Sequence, residues 1–534
     1  MRTSIISAAA ATAVAFAGLG SAADLAAWKS RSIYQVMVDR FARTDGSTDA
    51  ACDDLSLFCG GTWKGLTNNL DYIQDMGFTA VQISPIVKNL EEHTAVGDAY
   101  HGYWSVDNYA LNDRFGTEQE FKDLVAAMHK RDMLLMVDVV VNNMVQAFDN
   151  VVPPKVDYSK FNPFNDEKYF HPYCNVTKWE NATDYQNCWL YPYGVALADL
   201  ATDTKPVADE LGNWVKGLVA NYSIDGLRID AAKHVNDGFL PGFVESSGVF
   251  AFGEVLTGEP EDMCRYQTKG LLPGMPNYLE YYPLNDAFNG GSLIDVAEMR
   301  NKAASSCNDT TALGSFLENH DMPRFANRNQ DMALAKNAMT YILLNDGIPT
   351  VYQGQEQHFN GSLTPSNRET VWSSKYNKEA PLYVLTSALN KVRNNAIKLS
   401  DDYISTPSET LWADVNHLCL KKGPYGSQIV FCINNKSSKG DSYQVSVGGF
   451  QANDKVVEVL RCKVSTADVS GNVTVYMGKG EPKVYVPQSA LKDTGLCTTT
   501  EEDAPVADNG ASALGLTGSM LLAAVFGWAA VLLA

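Results

Sequence analysis

Three acidic residues each end a short, largely apolar run that is typical of a buried β-strand. Asp230 ends Gly-Leu-Arg-Ile-Asp, Glu254 ends Ala-Phe-Gly-Glu, and Asp321 ends Phe-Leu-Glu-Asn-His-Asp. Cleavage of a glycosidic bond needs one carboxyl group to protonate the leaving oxygen and another to attack the anomeric carbon or activate water. A third carboxylate can stabilise positive charge on the sugar ring. One such residue usually caps a helix or lies at the surface, but three at consecutive strand ends, with Arg228 and His320 beside them, indicate an active site.

These carboxylates need a scaffold that brings strand ends together. Between residues 33 and 399, apolar runs such as Ile33–Met37 and Leu134–Val141 alternate with amphipathic segments such as Glu118–Lys130 and Pro206–Asn221. Strands that alternate with helices predict an α/β fold with a parallel sheet, and this number of units favours a closed (β/α)8 barrel. Such barrels carry their catalytic groups at the carboxyl ends of the strands.

The alternation of predicted strands and helices is interrupted twice along the chain. Residues 143–200 are rich in Asn, Tyr, Pro and Asp, which indicates a subdomain inserted after the third strand of a catalytic barrel at residues 24–400. Short alternating strands with glycine turns follow, among them Leu411–Leu420, and they predict a C-terminal antiparallel β-sandwich domain at residues 401–497. Residues 498–509 are polar and acidic, and we interpret them as a flexible stalk.

Both ends of the sequence carry targeting patterns. Residues 1–23 combine Arg2, a short Ala-rich apolar stretch and small residues, which predicts a signal peptide and secretion. Near the other end, the small residues Asn509-Gly510-Ala511 precede an apolar tail without charge. This order predicts a glycosylphosphatidylinositol (GPI) anchor on Asn509 at the cell surface, with residues 510–534 removed. The alternative, a transmembrane helix, usually carries Lys or Arg on its cytoplasmic side.

The amino-acid composition restricts the kinds of partner that this protein is expected to bind. The net charge of −20, without any Lys/Arg run, argues against nucleic acid as a partner, whereas a neutral sugar is compatible with it. Ten cysteines on a secreted chain predict disulfides. Sequons of the Asn-x-Ser/Thr type predict a glycosylated exterior, and they lie at Asn175, Asn181, Asn221, Asn308, Asn360, Asn435 and Asn472.

The motifs together resemble those of the alpha-amylases of glycoside hydrolase family 13, most closely the secreted fungal enzymes and their GPI-anchored alpha-amylase/4-alpha-glucanotransferase subgroup. The matching stretches are Tyr100-His-Gly-Tyr-Trp104, Asp138-Val-Val-Val-Asn142, Gly226-Leu-Arg-Ile-Asp-Ala-Ala-Lys-His234, Gly253-Glu-Val-Leu256, Phe316-Leu-Glu-Asn-His-Asp321 and Gly354-Gln-Glu-Gln-His358. They occur in family order between about residues 28 and 497.

The resemblance implies a retaining enzyme that acts on α-1,4-glucan or maltooligosaccharides. Asp230 would be the nucleophile of a covalent glycosyl-enzyme intermediate, Glu254 the general acid/base, and Asp321 the transition-state stabiliser, with the first two carboxyls roughly 5–5.5 Å apart. Arg228 projects to the same side of its strand as Asp230, so we expect this cation to keep Asp230 ionised, whereas Glu254 must begin the reaction protonated.

Other sites follow from the same resemblance. The implied sugar contacts are His101, Tyr103, Trp104, Asn143, Arg228, Lys233, His234, Gly258, His320 and Arg368. Tyr103 and Trp104 can stack on pyranose faces, although aromatic pairs more often fill a core. A structural calcium ion is implied at Asn142, Gln186, Asp199 and His234, where Gln186 replaces the usual Glu and removes one formal charge.

The family pattern also implies disulfide pairs. They are Cys52–Cys59, Cys174–Cys188, Cys264–Cys307 and Cys462–Cys497. The remaining two cysteines, Cys419 and Cys432, flank a Gly-Pro-Tyr-Gly turn and can bridge adjacent strands.

Two departures from the family pattern bear on the reaction. Asn143 replaces a His that normally contacts the sugar beside the cleaved bond, and Thr364 replaces an Asp that binds glucose on the non-reducing side. We therefore favour strong 4-alpha-glucanotransferase activity in cell-wall α-glucan remodelling. A plain hydrolytic alpha-amylase is the alternative, and an inactive glucan-binding surface protein is the alternative from another class. We expect a monomer.

Overall fold

Seven parallel strands form a barrel-shaped sheet in the computed structural model, which describes residues 23–190, 194–492 and 494–502. Adjacent strands pair in the following order: Gly314–Ser315, Ile348–Tyr352, Ile33–Val36, Ala80–Ile83, Leu134–Val139, Gly226–Ile229 and Phe250–Gly253. All their side chains are buried except that of Leu134, which is partly exposed, and such nearly continuous apolar runs are expected of parallel strands covered on both faces.

Residues 274–276 close the barrel between the first and last of these strands. The amide of Gly253 donates to the carbonyl of Gly274 at 3.0 Å, and the amide of Gly314 donates to the carbonyl of Met275 at 2.8 Å. Parallel bridges join Phe252 to Gly274 and Pro276 to Gly314. This short segment takes the eighth strand position, so the predicted (β/α)8 barrel is confirmed.

The helices pack around this sheet. They are Leu25–Lys29, Val38–Phe41, Trp63–Asn68, Leu70–Asp75, Glu118–His129, Lys205–Tyr222, Leu240–Ser247, Pro260–Thr268, Tyr278–Ala287, Leu293–Ser306, Phe325–Arg328, Met332–Leu344, Pro381–Leu399 and Asp402–Ser405. Short 3₁₀ turns lie at Thr310–Ala312, Gln355–Gln357 and Val371–Ser374. Thr117 and Glu120 form a capping box that begins Glu118–His129, and this helix and Lys205–Tyr222 match the predicted segments within one residue at each end.

The insertion after the third barrel strand has little regular structure. Its strands Asn143–Ala147 and Val195–Asp199 pair antiparallel and enclose the 3₁₀ turns Tyr158–Lys160 and Glu167–Tyr169 and the helix Ala182–Tyr185. A hairpin of Val87–Asn89 and Ser105–Leu111 lies earlier in the chain, and Asp107 bridges to Asn162 of the insertion.

The C-terminal domain contains a sheet of seven strands and a second sheet of two. The first has the order Glu409–Ala413, His417–Lys422, Ile429–Asn434, Lys483–Pro487, Lys455–Glu458, Lys463–Thr466 and Glu501–Glu502; the second pairs Tyr443–Val447 with Val473–Met477, and a 3₁₀ turn lies at Gln488–Leu491. Apolar side chains of both sheets share one core. The predicted single strand Leu411–Leu420 is wrong, because residues 414–416 turn the chain back: Asp414 accepts from the amides of Asn416 and His417.

Part of the segment interpreted as a stalk is docked on this domain. Glu501–Glu502 pairs in parallel with Lys463–Thr466, and Lys463 forms a salt bridge with Glu501. Asn509 and residues 510–534 lie outside the described residues, as does the predicted signal peptide apart from Ala23. Within the part of the chain that is described, no helix combines the length and apolar character that a membrane span needs.

Five disulfides join all ten cysteines, so the predicted disulfides are confirmed. They are Cys52–Cys59, Cys174–Cys188, Cys264–Cys307, Cys419–Cys432 and Cys462–Cys497. The Cys419–Cys432 bond links directly opposed residues of neighbouring strands.

Candidate active site

The three acidic residues singled out from the sequence lie on the same side of the barrel. Asp230 follows Gly226–Ile229, and its amide donates to the carbonyl of Val139 at 2.9 Å. Glu254 follows Phe250–Gly253, and its amide donates to the carbonyl of Ile229 at 2.9 Å. Both residues therefore extend the parallel ladder by one position at the carboxyl ends of their strands. Asp321 lies in the loop after Gly314–Ser315.

The guanidinium of Arg228 contacts the carboxylates of Asp230 and Glu254. It also contacts a further acid, Asp138, to which the sequence analysis gave no role. Its Nη1 is 2.7 Å from Oδ1 of Asp230, and its Nη2 is 2.8 Å from Oε2 of Glu254. Nη1 also lies 3.0 Å from both oxygens of Asp138, which stands opposite Arg228 on the neighbouring strand. The Arg228 side chain is 5% exposed, so a planar fork of donors is held rigidly between acids that face the barrel mouth.

Because Arg228 is the common partner of Asp138, Asp230 and Glu254, its charge is shared among three acids and does not act on Asp230 alone. Burial raises the pKa of Asp230 well above its usual value, and the charge of Arg228 opposes this rise. Burial likewise raises the pKa of Asp138 to about 7 despite the same cation. Asp138 and Glu254 share the charge of Arg228 with Asp230, and the expectation that this cation keeps Asp230 ionised stays a prediction. Acids this close together titrate as one coupled group.

The residue after Asp230 has an unusual backbone. Ala231 has φ +47°, a left-handed conformation that is costly for a residue with a side chain. This turn directs the Ala231 amide onto Oε2 of Glu254 at 3.0 Å. The Glu254 carboxyl thus has two donors on one oxygen, which fixes its orientation toward the neighbouring strand end.

Asp321 is held by two basic side chains. Nε2 of His320 is 3.2 Å from its Oδ2, and Nη2 of Arg368 is 3.4 Å from its Oδ1. Arg368 also donates to the hydroxyl of Tyr100 at 3.1 Å and to the carbonyl of His320 at 3.0 Å. The Asp321 side chain is 33% exposed, so it is positioned by the protein and still faces the open cleft.

An aromatic cluster lines the cleft beside these acids. The ring of Tyr103 stacks on His320 with centroids 5.1 Å apart, and its hydroxyl donates to Oδ2 of Asp138 at 2.6 Å. His101 contacts Tyr103 on one side and the edge of Trp104 on the other. Burial, followed by the charge of Arg368, lowers the pKa of both histidines well below the usual value. The ring nitrogens of both histidines can exchange hydrogen bonds with hydroxyls.

Lys233 and His234 follow Asp230 in the chain, and Gly258 follows Glu254 by four residues. The amide of Lys233 donates to the carbonyl of Glu254 at 3.1 Å. Gly258 faces the ring of Tyr282, which an added Cβ would approach to 3.1 Å. The sequence analysis missed Trp179, whose indole is 53% exposed and stands edge-on to the His234 ring at 5.7 Å. The only feature of the sequence that could have indicated this residue is that a tryptophan stands in an otherwise polar loop.

The two departures from the family pattern lie in different places. Thr364 lies beside the acids, with its hydroxyl 3.5 Å from the carbonyl of His320. Asn143 is buried at the start of the insertion, where it pairs with Asp199. Among the residues that the structure describes, the Asn143 side chain makes no hydrogen bond to the carboxylates around Arg228.

The four residues proposed for calcium are partly brought together. Asn142 and Asp199 are both buried and lie close together, because the carbonyl of Asn142 accepts from the amide of Leu200, the residue after Asp199, at 2.8 Å. The second pair meets through Tyr185, whose carbonyl lies 3.1 Å from Nδ1 of His234 and which precedes Gln186 in the chain. Oδ2 of Asp199 is already bonded to His171 at 2.6 Å. No group of three or more His, Cys, Asp or Glu residues able to hold a metal occurs among the residues described.

A parallel barrel with two carboxylates at adjacent strand ends and a third acid in a nearby loop has the groups that hydrolysis of a glycosidic bond needs. The chain matches the family described as "Alpha amylase, catalytic domain" over residues 35–393 and the one described as "Alpha-amylase, domain C" over residues 410–505. The chain therefore belongs to the alpha-amylase family and is a glycoside hydrolase of that family.

Similar proteins cover almost the whole chain. Alpha-amylase 2 of Schwanniomyces occidentalis is 43% identical over 475 residues, which is 88% of this chain and 93% of that protein. The alpha-amylase of Saccharomycopsis fibuligera is 43% identical over 470 residues, 87% of this chain and 93% of its own. A solved alpha-amylase structure from Malbranchea cinnamomea has a TM-score of 0.85 at 43% identity, covering 89% of this chain and 100% of that one.

Proposed function

We propose that this enzyme is a retaining glycosidase that acts on α-1,4-glucan, with Asp230 as nucleophile and Glu254 as general acid/base. The observation that carries the proposal is the Arg228 fork, which holds the carboxylates of two adjacent strand ends on one guanidinium. Two carboxyls that are close together suit a covalent mechanism, because an inverting enzyme leaves room for a water between them.

In the first step, Glu254 gives its proton to the glycosidic oxygen while an oxygen of Asp230 attacks the anomeric carbon and the bond to the leaving chain breaks. Positive charge grows on the ring as this bond lengthens. Asp321, fixed by His320 and Arg368, offers negative charge to it. In the second step, Glu254 removes a proton from the acceptor hydroxyl, the acceptor oxygen bonds to the anomeric carbon, and Asp230 leaves. Two inversions retain the configuration.

We further propose that a sugar hydroxyl competes well with water as the acceptor. Both outcomes share the intermediate on Asp230 and diverge only at its removal. The exposed indole of Trp179 beside His234 provides an apolar face on which a bound acceptor ring can stack, and a bound acceptor reacts with favourable orientation. Hydrolysis alone is the second candidate, and the 43% identity to proteins named alpha-amylase favours it.

Asn143→His should raise the share of hydrolysis over transfer. A histidine can donate a hydrogen bond to the donor sugar and change charge near neutral pH, whereas Asn stays neutral. A difference of about 1.4 kcal/mol between the two barriers shifts the partition about tenfold. The measurement is product analysis after incubation with maltoheptaose: the unchanged enzyme should form oligomers longer than the substrate as well as shorter ones, and the variant should form fewer long ones.

Asn143→Gln is the matched control, since it changes the size of this buried side chain and keeps the neutral amide. It should leave the product ratio near that of the unchanged enzyme. If the unchanged enzyme gives only shorter sugars at high substrate concentration, the transfer proposal fails and a hydrolytic alpha-amylase remains.

We also propose a structural calcium ion held by Asn142, Gln186, Asp199 and His234. These residues offer carboxylate, amide and backbone oxygens, the donors that this cation takes, and when bound it would tie the insertion to the barrel. Two of them already lie close together, because the carbonyl of Asn142 accepts from the amide of the residue that follows Asp199.

Gln186→Glu should make thermal stability more dependent on calcium. Gln186 now donates to Oδ1 of Asp237 at 2.8 Å, so the variant places two like charges there without calcium and gains an anionic ligand with it. We expect a lower melting temperature than the parent in chelator and a calcium affinity roughly tenfold higher. The exposed Gln444→Glu is the control. Melting curves of Gln186→Glu that do not respond to calcium would exclude the site.

We also propose that the enzyme is secreted and carries a lipid anchor at Asn509. Both proposals rest on the targeting patterns of the sequence, and they would place the enzyme at a cell surface where α-glucan is remodelled. Release from cells by a phosphatidylinositol-specific phospholipase would support the anchor, and a mature chain that still contains residues 521–533 by mass spectrometry would exclude it.

A further inference from the structure

A tyrosine stands exposed on the C-terminal domain, at a turn that the proposed catalytic function does not use. Tyr425 lies between the strands His417–Lys422 and Ile429–Asn434, and it is 60% exposed. Gly426, which follows it, has φ +92°, a conformation that favours glycine and lets the chain turn sharply beside the exposed ring.

Tyr425 forms a ridge between two open clefts. On one side is a cleft of about 360 Å³, lined among others by Glu409, Lys421 and Gln451. On the other side is a cleft of about 480 Å³, whose lining includes Asp454, Lys455, Gln488 and Ser489. Each is large enough for a sugar ring, and the same aromatic residue lines both.

The ring is held in place before any ligand binds. Its hydroxyl donates to Oδ1 of Asp454 at 3.2 Å, across 29 positions of the chain. The other oxygen of Asp454 accepts from the amide of Gln451 at 2.8 Å. A tyrosine whose orientation is already fixed loses little conformational entropy when it binds a partner.

The charges of the two clefts suggest a neutral ligand. Glu409 and Lys421 pair with each other at 3.0 Å on the first side. On the second side Asp454 stands with one basic residue, Lys455, whose Nζ donates to Thr466 at 2.7 Å. Each cleft thus has one acidic and one basic group, and neither presents an excess of one sign. Exposed amides and hydroxyls, such as Gln451, Gln488 and Ser489, can exchange hydrogen bonds with a hydroxyl-rich chain.

We propose that Tyr425 and its two flanking clefts form a second binding site for an α-glucan chain, separate from the catalytic cleft. The proposal rests on the proposed function in taking α-1,4-glucan as the ligand. One pyranose stacks on the tyrosine ring, and its neighbours along the chain occupy the clefts. A site on the C-terminal domain retains the polymer while the barrel acts on another part of it, so it raises the local concentration of long chains and is of no use to short ones.

The test compares binding of a polymer with turnover of a short oligosaccharide. Tyr425→Ala, Tyr425→Phe and Val469→Ala are made in the full chain; Val469 is an exposed apolar control on the same domain. Binding to soluble starch is measured by affinity electrophoresis in a Glu254→Gln background, so that the polymer is not cut. Turnover of maltoheptaose is measured with Glu254 intact.

Tyr425→Ala should bind starch about five- to tenfold more weakly, the loss expected for one aromatic contact, and leave kcat/KM for maltoheptaose unchanged. The starch affinity of Tyr425→Phe, which keeps the ring, should stay within about twofold of that of the parent, and the affinity of Val469→Ala should equal it. Ser489→Trp, which fills the second cleft without altering the tyrosine, should also weaken starch binding. This variant replaces Tyr425→Ala in the test if Tyr425→Ala lowers the melting temperature.

Unchanged starch affinity in both Tyr425→Ala and Ser489→Trp would overturn the proposal. Absence of turnover of maltoheptaose by the unmodified enzyme would instead contradict the proposed function, while the electrophoresis would still report on the second site.

Discussion

Asp230→Asn, Glu254→Gln and Asp321→Asn should each reduce kcat on maltoheptaose by at least about 10²–10⁴-fold. Loss of a general acid/base alone has this effect. An amide at position 230 cannot form the covalent intermediate, and an amide at 321 cannot supply negative charge to the ring. Each variant keeps the shape of the side chain, so the contacts to Arg228, His320 and Arg368 are only partly lost. Steady-state kinetics on purified variants give the measurement.

The three variants are distinguishable from one another. Glu254→Gln should still form the intermediate with a substrate whose leaving group needs no proton, such as a glucosyl fluoride, whereas Asp230→Asn should not. Glu259→Gln, an exposed acid later in the same loop, is the matched control and should retain parental turnover. Near-normal activity in any one of the three would remove the role assigned to that residue.

The sequence was sufficient to predict the barrel and its three acids because both depend on local patterns. Strands such as Gly226–Ile229 are short, largely apolar runs that an acid follows, and helices such as Glu118–His129 begin with caps such as Thr117. The segment 274–276 escaped prediction because Gly274 and Pro276 have low strand propensity, and only the closure of the barrel gives them partners.

Pairwise contacts between distant elements were harder to foresee. Asp138 was visible in a matching motif, but its register opposite Arg228 decides that one cation serves three acids, and register is a property of the folded sheet. Trp179 had no periodic pattern around it, and only the fold of the insertion brings it to His234. Charge sharing and cleft shape are therefore the parts of this site that required a structure.

Arg228→Met should cost about 3–5 kcal/mol of folding stability at neutral pH and abolish most activity. The variant leaves Asp138, Asp230 and Glu254 without their common cation in a buried site, and an unpaired buried charge has a cost of this size. Burial already raises the pKa of Asp138 to about 7 and raises that of Asp230, and removal of the opposing charge raises both further. The measurement is urea unfolding of parent and variant between about pH 5 and pH 8.

The sign of the pH dependence makes this prediction specific. An acid whose pKa is higher in the folded state binds more protons there than in the unfolded chain, so its contribution to stability falls as pH rises through that range. The deficit of Arg228→Met should therefore be smaller at pH 5 than at pH 8. Arg228→Lys restores one charge without the planar fork that reaches both Asp230 and Glu254. It should recover part of the stability and little of the activity. A deficit that does not change with pH would indicate lost packing rather than unpaired acids, and full activity in Arg228→Lys would show that the fork does not position the two carboxylates.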